Sequence, residues 1–168
     1  ETELILPGLG SFDYAIENFH ALNMFNEVKH KVLNEKIPIL GICLGMQLLF
    51  SSSQEFGYSN GLKLINGKVK KFSKQNSLKT NMGWAKVSMK KEELLLNKQQ
   101  FDENYFYFVH SYYVSPSDNK DIFGISYHQD FKFTSIIKKR NIIGTQFHPE
   151  KSGKTGISFL KNLKNSLN

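Results

Sequence analysis

Cys43 is the residue whose type and surroundings most clearly suggest chemistry. It is the only cysteine of the 168-residue chain, and it occupies the centre of a Gly-x-Cys-x-Gly pattern over residues 41–45. The apolar residues before it favour a short strand, and Gln47, Leu48 and Phe50 after it favour the first turns of a helix. This junction is the sulfur counterpart of the nucleophile elbow, a sharp strand-to-helix turn that presents a reactive side chain. We therefore interpret Cys43 as a candidate nucleophile.

The predicted position of Cys43 has an electrostatic consequence. The unpaired N–H groups of a helix N-terminus stabilise negative charge, so we expect them to favour the thiolate over the thiol. The flanking Gly41 and Gly45 have no Cβ and let neighbouring backbone approach closely. The alternative is that a lone cysteine in an apolar stretch is an inert core residue. The glycines and the switch from strand to helix favour the reactive interpretation.

His148 and Glu150 are the candidate base and its orienting carboxylate. The segment over residues 142–150 begins as an apolar strand and ends at a turn fixed by Pro149. In extended chain, residues two positions apart point to the same side, so Glu150 can orient the imidazole of His148. Together with Cys43 they match the arrangement of nucleophile, base and carboxylate used in covalent hydrolysis. The other four histidines, His20, His30, His110 and His128, have no such neighbour in a turn.

The cysteine turn and the Gln-Phe-His-Pro-Glu segment over residues 146–150 resemble the motifs of class I glutamine amidotransferases. Further segments, over residues 6–12, 82–84, 107–113 and 151–153, resemble the family of glutaminase subunits of imidazole glycerol phosphate synthase. The resemblance covers essentially the whole chain. It implies that Cys43, His148 and Glu150 form a catalytic triad that hydrolyses glutamine to glutamate and ammonia, with no cofactor or metal.

The resemblance also implies the fold. We expect an α/β protein with a doubly wound mixed sheet and flanking helices, forming a single glutaminase domain over residues 1–168. The chain opens at a strand that the family reaches only after a first strand, helix and strand, so we expect that this N-terminal part is missing. The first strand of a doubly wound sheet is usually central. We therefore expect the chain to be poorly stable alone.

Two backbone N–H groups are candidates for binding the oxyanion that forms when an amide is attacked. The first is that of Leu44, directly after the nucleophile, and the second is that of Leu9. The glycines on either side, Gly8 and Gly10, permit a peptide flip between donor-in and donor-out states. The resemblance implies that the partner and its ligand bias this flip. The alternative is an ordinary strand-to-helix turn.

The substrate glutamine is expected to contact a second set of residues. Gln47 lies one turn along the predicted elbow helix and could hydrogen-bond the bound glutamine. By similarity to the family, the backbone of His110, Ser111 and Tyr112 would bind its amino-acid end, along with the turn at Gly8 and Gly10. The alternative for residues 105–113 is an aromatic core strand.

The resemblance implies a partner that consumes the ammonia. In the family this is a TIM-barrel cyclase subunit, joined as a heterodimer, which makes imidazole glycerol phosphate and AICAR in histidine biosynthesis. The family usually has Pro-His before x-Gly-Trp and Asn after it, whereas this chain has Thr80, Asn81 and Ala85 there. Because this segment lies near the partner-facing side, a paralogue serving a nucleotide-sugar amidotransferase in surface polysaccharide synthesis is an alternative. A stand-alone cysteine hydrolase of the same fold and a non-catalytic interaction protein are others.

Composition narrows the class of protein further. The net charge is +7, but Arg140 is the only arginine, and arginine is the side chain best suited to bidentate contacts with phosphate and guanine. We therefore expect no nucleic-acid partner. No apolar run approaches the ~20 residues of a membrane span, so no membrane association is expected. A single cysteine cannot form a disulfide within the chain, which fits a protein of the reducing cytoplasm.

The hydrophobic pattern predicts alternating helices and strands. The predicted helices cover residues 13–19, 24–33 and 156–167. The predicted strands cover residues 4–6, 84–89, 105–110, 122–127, 131–137 and 142–147, with a hairpin over 62–71 around Asn66-Gly67. Residues 54–60 and 118–120 are predicted as loops.

Overall fold

The computed structural model describes residues 3–55, 57–72, 80–90 and 104–167. Four α-helices occur in this part of the chain: α1 (Phe12–Ala21), α2 (Met24–Leu33), α3 (Leu44–Leu48) and α4 (Gly153–Leu167). The strands are β1 (Leu4–Leu6), β2 (Ile39–Ile42), β3 (Phe50–Ser53), β4 (Ser59–Asn60), β5 (Ile65–Lys71), β6 (Asn81–Lys86), β7 (Ser88–Met89), β8 (Tyr105–His110), β9 (Tyr112–Pro116), β10 (Ile122–His128), β11 (Phe131–Lys139) and β12 (Ile142–Thr145). Single 3₁₀ turns cover Asn119–Asp121 and Pro149–Lys151.

The largest sheet has six strands in the order β1-β2-β12-β11-β10-β7. Its first three strands are parallel, and the last three continue it in antiparallel fashion. Every residue of β2 and of β12 is buried, as expected for parallel strands covered on both faces. The predicted α/β architecture with a mixed sheet and flanking helices is therefore present.

Two smaller sheets complete the described part of the chain. One has the strand order β4-β3-β5-β9, in which β5 pairs in parallel with β3 and antiparallel with β9. The other is an antiparallel ribbon of β6 and β8 that places Asn81 opposite His110 and Trp84 opposite Tyr107. The ribbon is joined to the segment that follows β12 through a bridge between Tyr107 and His148.

The core consists of two apolar clusters that share the strands of the large sheet. One contains Ile39 and Ile142, and the other contains Leu40 and Ile143. Since successive residues of a strand point to opposite faces, the two clusters lie on opposite sides of the sheet. Helices α1 and α2 pack on the first cluster, and α4 packs on the second through Phe159.

Two predictions about secondary structure were wrong. Asn66-Gly67 does not form a hairpin, because both residues lie inside the continuous strand β5. Gly67 has a φ of +144°, and a Cβ on it would lie 2.5 Å from the carbonyl oxygen of Ser115 on β9. A glycine is therefore required here by the close approach of a neighbouring strand and not by a turn. The helix after Cys43 is also shorter than expected, since it ends at Leu48 and Phe50 begins β3.

Smaller differences concern element boundaries. The strand predicted over residues 84–89 is divided between β6 and β7, and the loops predicted over 54–60 and 118–120 contain β4 and the start of a 3₁₀ turn. Strand β12 ends at Thr145, three residues before the predicted base His148. Within the described ranges, no helix combines the length and apolar character needed to cross a membrane.

Candidate active site

Cys43 lies in a strained turn between β2 and α3. Its φ of 53° and ψ of −107° form a backbone conformation that residues with a side chain rarely adopt, at a cost of about 1–3 kcal/mol. The two flanking glycines make this turn possible. A Cβ on Gly45 would lie 1.7 Å from the carbonyl oxygen of Leu6, and one on Gly41 would lie 2.7 Å from the carbonyl of Gly45. The glycines are therefore required by close backbone contacts, as the sequence pattern indicates.

The thiol of Cys43 is buried and has two polar neighbours. Its Sγ donates to the carbonyl oxygen of Val109 at 3.7 Å and accepts from Nε2 of Gln146 at 3.6 Å. Burial raises the pKa of the Cys43 thiol to about 11, and the N–H of Leu44 and the amide of Gln146 offset only part of this effect. The N–H of Leu44 at the helix N-terminus favours the thiolate as expected, but desolvation outweighs it, so the net pKa of the thiol is raised.

His148 follows the strand that lies directly beside β2. Thr145 of β12 is in register with Ile42, and the N–H of Cys43 donates to the carbonyl oxygen of Thr145 at 2.7 Å. The elbow and the segment carrying His148 therefore leave the same edge of the sheet from adjacent parallel strands. His148 is buried, and its backbone N–H donates to the carbonyl of Tyr107 at 2.9 Å.

Nδ1 of His148 and Oε1 of Glu150 are 2.7 Å apart. The carboxylate side chain of Glu150 is 47% exposed while His148 is buried, so the pair reaches from the interior to the surface. The two residues face each other across the 3₁₀ turn at Pro149–Lys151, not along an extended strand as predicted. The local geometry differs from the prediction because Pro149 starts the turn immediately after His148.

The second ring nitrogen of His148, Nε2, is buried and has no hydrogen-bond partner among the described residues. The thiol proton of Cys43 is directed to Val109 and not to this nitrogen. The structure thus joins His148 to Glu150 by a hydrogen bond, and it holds Cys43 in a separate hydrogen-bonded position.

A cleft opens in front of Cys43. Its lining contains all of the predicted oxyanion and substrate residues except Gly8. The lining residues are Leu9, Gly10, Cys43, Leu44, Gln47, Glu55, Val109, His110, Ser111 and Tyr112. Gly8 is not part of this lining, and a Cβ on it would lie 3.1 Å from that of Leu44.

Glu55 is a cleft residue that was not predicted from the sequence. One of its carboxylate oxygens, Oε2, accepts from the N–H of Phe12 at the start of α1 at 2.8 Å. Burial raises the pKa of this carboxyl group, while the N–H of Phe12 opposes the shift. An acidic residue in a segment predicted as a loop carries no distinctive spacing, so only the fold brings it to the cleft.

His110 is a buried, neutral member of the opposite wall. Its Nδ1 is 2.7 Å from the carbonyl oxygen of Tyr112, and its Nε2 is 2.9 Å from Nδ2 of Asn81. Burial lowers the pKa of His110 to about 4. Asn81, which departs from the family pattern, is thus a buried partner of a cleft residue.

Gln47 and Gln146 form a buried pair beside the thiol. Nε2 of Gln47 donates to Oε1 of Gln146 at 3.2 Å and to the carbonyl of Tyr112 at 3.2 Å. In the sequence, Gln146 stands out only as part of the Gln-Phe-His-Pro-Glu motif. Its contact with Cys43 follows from the pairing of β12 with β2, which the sequence did not specify. Among the described residues, no three His, Cys, Asp or Glu side chains are grouped so that they could hold a metal ion.

Comparison with known proteins identifies the family. The family model described as glutamine amidotransferase class-I matches residues 3–165. The chain is 47% identical over 160 residues to imidazole glycerol phosphate synthase subunit HisH of Prochlorococcus marinus, covering 95% of this chain and 74% of that relative. It is 42% identical to the subunit HisH of Methanocaldococcus jannaschii, covering 95% of this chain and 78% of that relative.

Solved structures agree on the fold. A crystal structure of a glutamine amidotransferase superimposes with a TM-score of 0.67 at 16% identity, covering 99% of this chain and 78% of that one. The PurLQS structure from Thermotoga maritima gives a TM-score of 0.67 at 18% identity, covering 98% of this chain and 80% of that one. The predicted family and fold class are therefore confirmed. The chain belongs to the class I glutamine amidotransferases and, among them, to the imidazole glycerol phosphate synthase HisH subunits.

Proposed function

We propose that this chain hydrolyses glutamine to glutamate and ammonia and supplies the ammonia to a synthase subunit that makes imidazole glycerol phosphate in histidine biosynthesis. The observation that carries the proposal is the strained Cys43 elbow beside a cleft, with the hydrogen-bonded His148 and Glu150 at the turn that follows the neighbouring strand β12. A side chain held in a costly backbone conformation at a cleft is typical of a functional position.

The first step uses Nε2 of His148, which has no hydrogen-bond partner in the described part of the chain. The thiol of Cys43 rotates away from Val109, and His148 accepts its proton. The sulfur then attacks the side-chain carbonyl carbon of glutamine, so that a C–S bond forms and the carbonyl π electrons move to oxygen. Glu150 accepts the hydrogen bond from Nδ1 and stabilises the imidazolium that results.

The second step releases ammonia. His148 returns the proton to the amide nitrogen, the C–N bond breaks, and the oxyanion collapses to a thioester on Cys43. His148 then removes a proton from water, which attacks the thioester carbon. The C–S bond breaks, His148 gives the proton to the sulfur, and glutamate leaves with the thiol restored.

The oxyanion needs donors where negative charge develops. Leu44 is the first residue of α3, so its N–H has no acceptor within that helix, and it lowers the pKa of the adjacent thiol. Leu9 lines the same cleft beside Gly10, whose φ is +119°. We assign the N–H groups of Leu44 and Leu9 to the oxyanion.

Glu55 and Gln47 are proposed to hold the rest of the substrate. The carboxylate of Glu55 is the acidic group in the cleft lining and complements the ammonium of a free amino acid. Gln47, Ser111 and Tyr112 line the remainder of the cleft. An acidic group at this position favours free glutamine over a peptide, whose chain nitrogen is neutral.

The partner is proposed to dock on the β6–β8 ribbon. Met82 is 67% exposed, Trp84 is 56% exposed, and Tyr105 lies exposed on the same ribbon. Exposed aromatic residues and methionine are enriched at protein interfaces. We propose a TIM-barrel cyclase subunit as the partner, in the cytoplasm, and the names of the relatives favour it over the nucleotide-sugar amidotransferase.

A substitution at Cys43 tests the proposal. With the cyclase subunit present, Cys43→Ala is expected to abolish glutamine-dependent synthesis while synthesis from added ammonium salt continues. Ser135→Ala removes a buried hydroxyl of the large sheet and serves as the control, with both activities retained. Glutamine hydrolysis by Cys43→Ala would refute the proposal, and turnover of peptides or polyglutamyl substrates without a partner would favour the stand-alone hydrolase.

A further inference from the structure

A buried chain of hydrogen bonds leads away from the sulfur of Cys43. Gln146 donates through Nε2 to Sγ at 3.6 Å and accepts through Oε1 from Gln47 at 3.2 Å. Gln47 in turn donates to the carbonyl oxygen of Tyr112 at 3.2 Å. The side chains of Gln146 and Gln47 are both buried. Two amides thus connect the reacting sulfur to a fixed point of the main chain.

The carbonyl of Tyr112 determines which way these amides face. A carbonyl oxygen can only accept, so Gln47 must present its NH₂ group to it. The NH₂ group of Gln47 then requires an acceptor from Gln146, which is Oε1. Gln146 must consequently present its own NH₂ group to Cys43.

A second contact reinforces the same carbonyl. Nδ1 of His110 lies 2.7 Å from the oxygen of Tyr112, so the proton of the neutral ring must be on Nδ1. The other nitrogen then accepts from Nδ2 of Asn81 at 2.9 Å. In each hydrogen bond between Asn81 and the thiol, it is therefore fixed which group donates and which accepts.

We propose that Gln146 is a thiolate-stabilising residue, whose amide N–H is aimed by Gln47 at the sulfur of Cys43 and strengthens its hydrogen bond as the thiol proton leaves. The inference rests on the proposed function, since it adds a residue to the same reaction. Gln146 is fully buried, with no exposed surface. If this side chain only filled space, an apolar residue would do so at a lower desolvation cost than an amide. The buried amide therefore favours a role beyond packing.

The electrostatic setting makes this contact important. Hydrogen bonds to a charged group are about twice as strong as those between neutral groups, and a buried site strengthens them further. The amide of Gln146 lowers the pKa of the Cys43 thiol, against burial, which raises it. Without this donor, the N–H of Leu44 and the charge of Lys151 remain as the groups that oppose the effect of desolvation on the thiol pKa.

The test compares Gln146→Met with Gln146→Glu by the rate at which neutral iodoacetamide alkylates Cys43, at a pH below the thiol pKa. Gln146→Met removes the amide. Gln146→Glu keeps an acceptor for Gln47 but replaces the donor to sulfur by a carboxylate that also repels the thiolate, so it is expected to slow alkylation more than Gln146→Met does. Loss of the hydrogen bond to the charged sulfur raises the pKa of the Cys43 thiol by about one to two units. A higher pKa of the Cys43 thiol lowers the fraction present as thiolate, and the greater nucleophilicity of the more basic thiolate offsets only about half of this loss. Alkylation is therefore expected to slow by about 3- to 15-fold.

The sign of the change separates this role from a structural one. A loosened core exposes the thiol and speeds alkylation, whereas a lost donor slows it. Thr145→Val is the matched control, since its hydroxyl bonds the carbonyl of Phe147 at 3.0 Å and leaves the sulfur untouched, so alkylation is not slowed. Folded Gln146 variants that react at the wild-type rate or faster would overturn the inference.

A measurement on the wild-type protein covers the case in which neither variant folds. The side-chain N–H resonances of Gln146 are expected to move downfield as the thiol titrates, and resonances that stay constant overturn the inference. Both measurements follow the sulfur and not turnover. Glutaminase activity in Cys43→Ala would therefore refute the proposed function, whereas unchanged alkylation in folded Gln146 variants refutes only the role of Gln146.

Discussion

The Cys43 elbow and the His148 turn follow neighbouring parallel strands, but different groups hold them in place. The elbow is held by main chain: a positive φ at Cys43 and close backbone contacts at Gly41 and Gly45. The His148 turn is held by side chains, with Glu150 bonded to the ring and the hydroxyl of Ser152 bonded to the carbonyl of His148 at 2.6 Å.

This difference suits the two proposed roles. A nucleophile must stay at one position relative to the oxyanion donors, and main-chain packing fixes it there. A base must receive a proton from one group and deliver it to another, so its orientation matters more than rigidity. Nε2 of His148, unpartnered among the described residues, is available for that transfer.

The largest expected effect comes from breaking the main-chain support of the elbow. Gly45→Ala places a Cβ 1.7 Å from the carbonyl oxygen of Leu6, where β1 and α3 must separate. We expect a loss of at least about 3 kcal/mol in the free energy of unfolding, measured by urea titration, together with loss of glutaminase activity.

A glycine next to the His148 turn provides the matched control. A Cβ on Gly153 would meet no atom within 4 Å, so Gly153→Ala carries only the cost of its φ of +58°, about 1–2 kcal/mol. Equal stability losses in the two variants would show that the elbow is no more constrained by its backbone than the turn is.

A smaller effect is expected from altering the side-chain support of the base. Glu150→Gln keeps the size of the residue but removes the charge that stabilises the imidazolium of His148. We expect kcat for glutamine hydrolysis to fall roughly 10²-fold with KM little changed, because Glu150 is not part of the cleft lining. Stability should be nearly unaffected, since the side chain is 47% exposed.

The control for Glu150→Gln is Lys154→Gln, an exposed charge change at the start of α4. It is expected to leave kcat and KM at wild-type values. A kcat for Glu150→Gln that equals the wild-type value would show that the carboxylate does not support His148 in the reaction.

Local pattern was informative where the constraint is local. The Gly-x-Cys-x-Gly spacing predicted the strand-to-helix turn, because Gly41 packs against Gly45 within the turn itself, although Gly45 also meets Leu6 of the sequence-distant β1. Asn66-Gly67 was misread as a hairpin for the opposite reason: the close neighbour of Gly67 is Ser115, almost fifty residues away. A pattern that signals a turn cannot reveal a distant strand.

The parts of the site that the sequence left undetermined depend on tertiary packing. Glu55 enters the cleft only after β3 and α1 come together, and Gln146 reaches the sulfur only because β12 pairs with β2. The raised pKa of Cys43 likewise reflects burial, which no spacing of residues encodes. The catalytic roles of Cys43 and His148 remain predictions that kinetics must test.

Detection of the covalent intermediate tests the central claim most directly. Glutamine is mixed with the protein and its cyclase partner, the reaction is quenched in acid during turnover, and the digested chain is analysed by mass spectrometry. We predict a γ-glutamyl thioester on the peptide that contains Cys43, and no such adduct in Cys43→Ala. Sustained glutamine hydrolysis without an adduct, or with an adduct on another residue, would contradict the account.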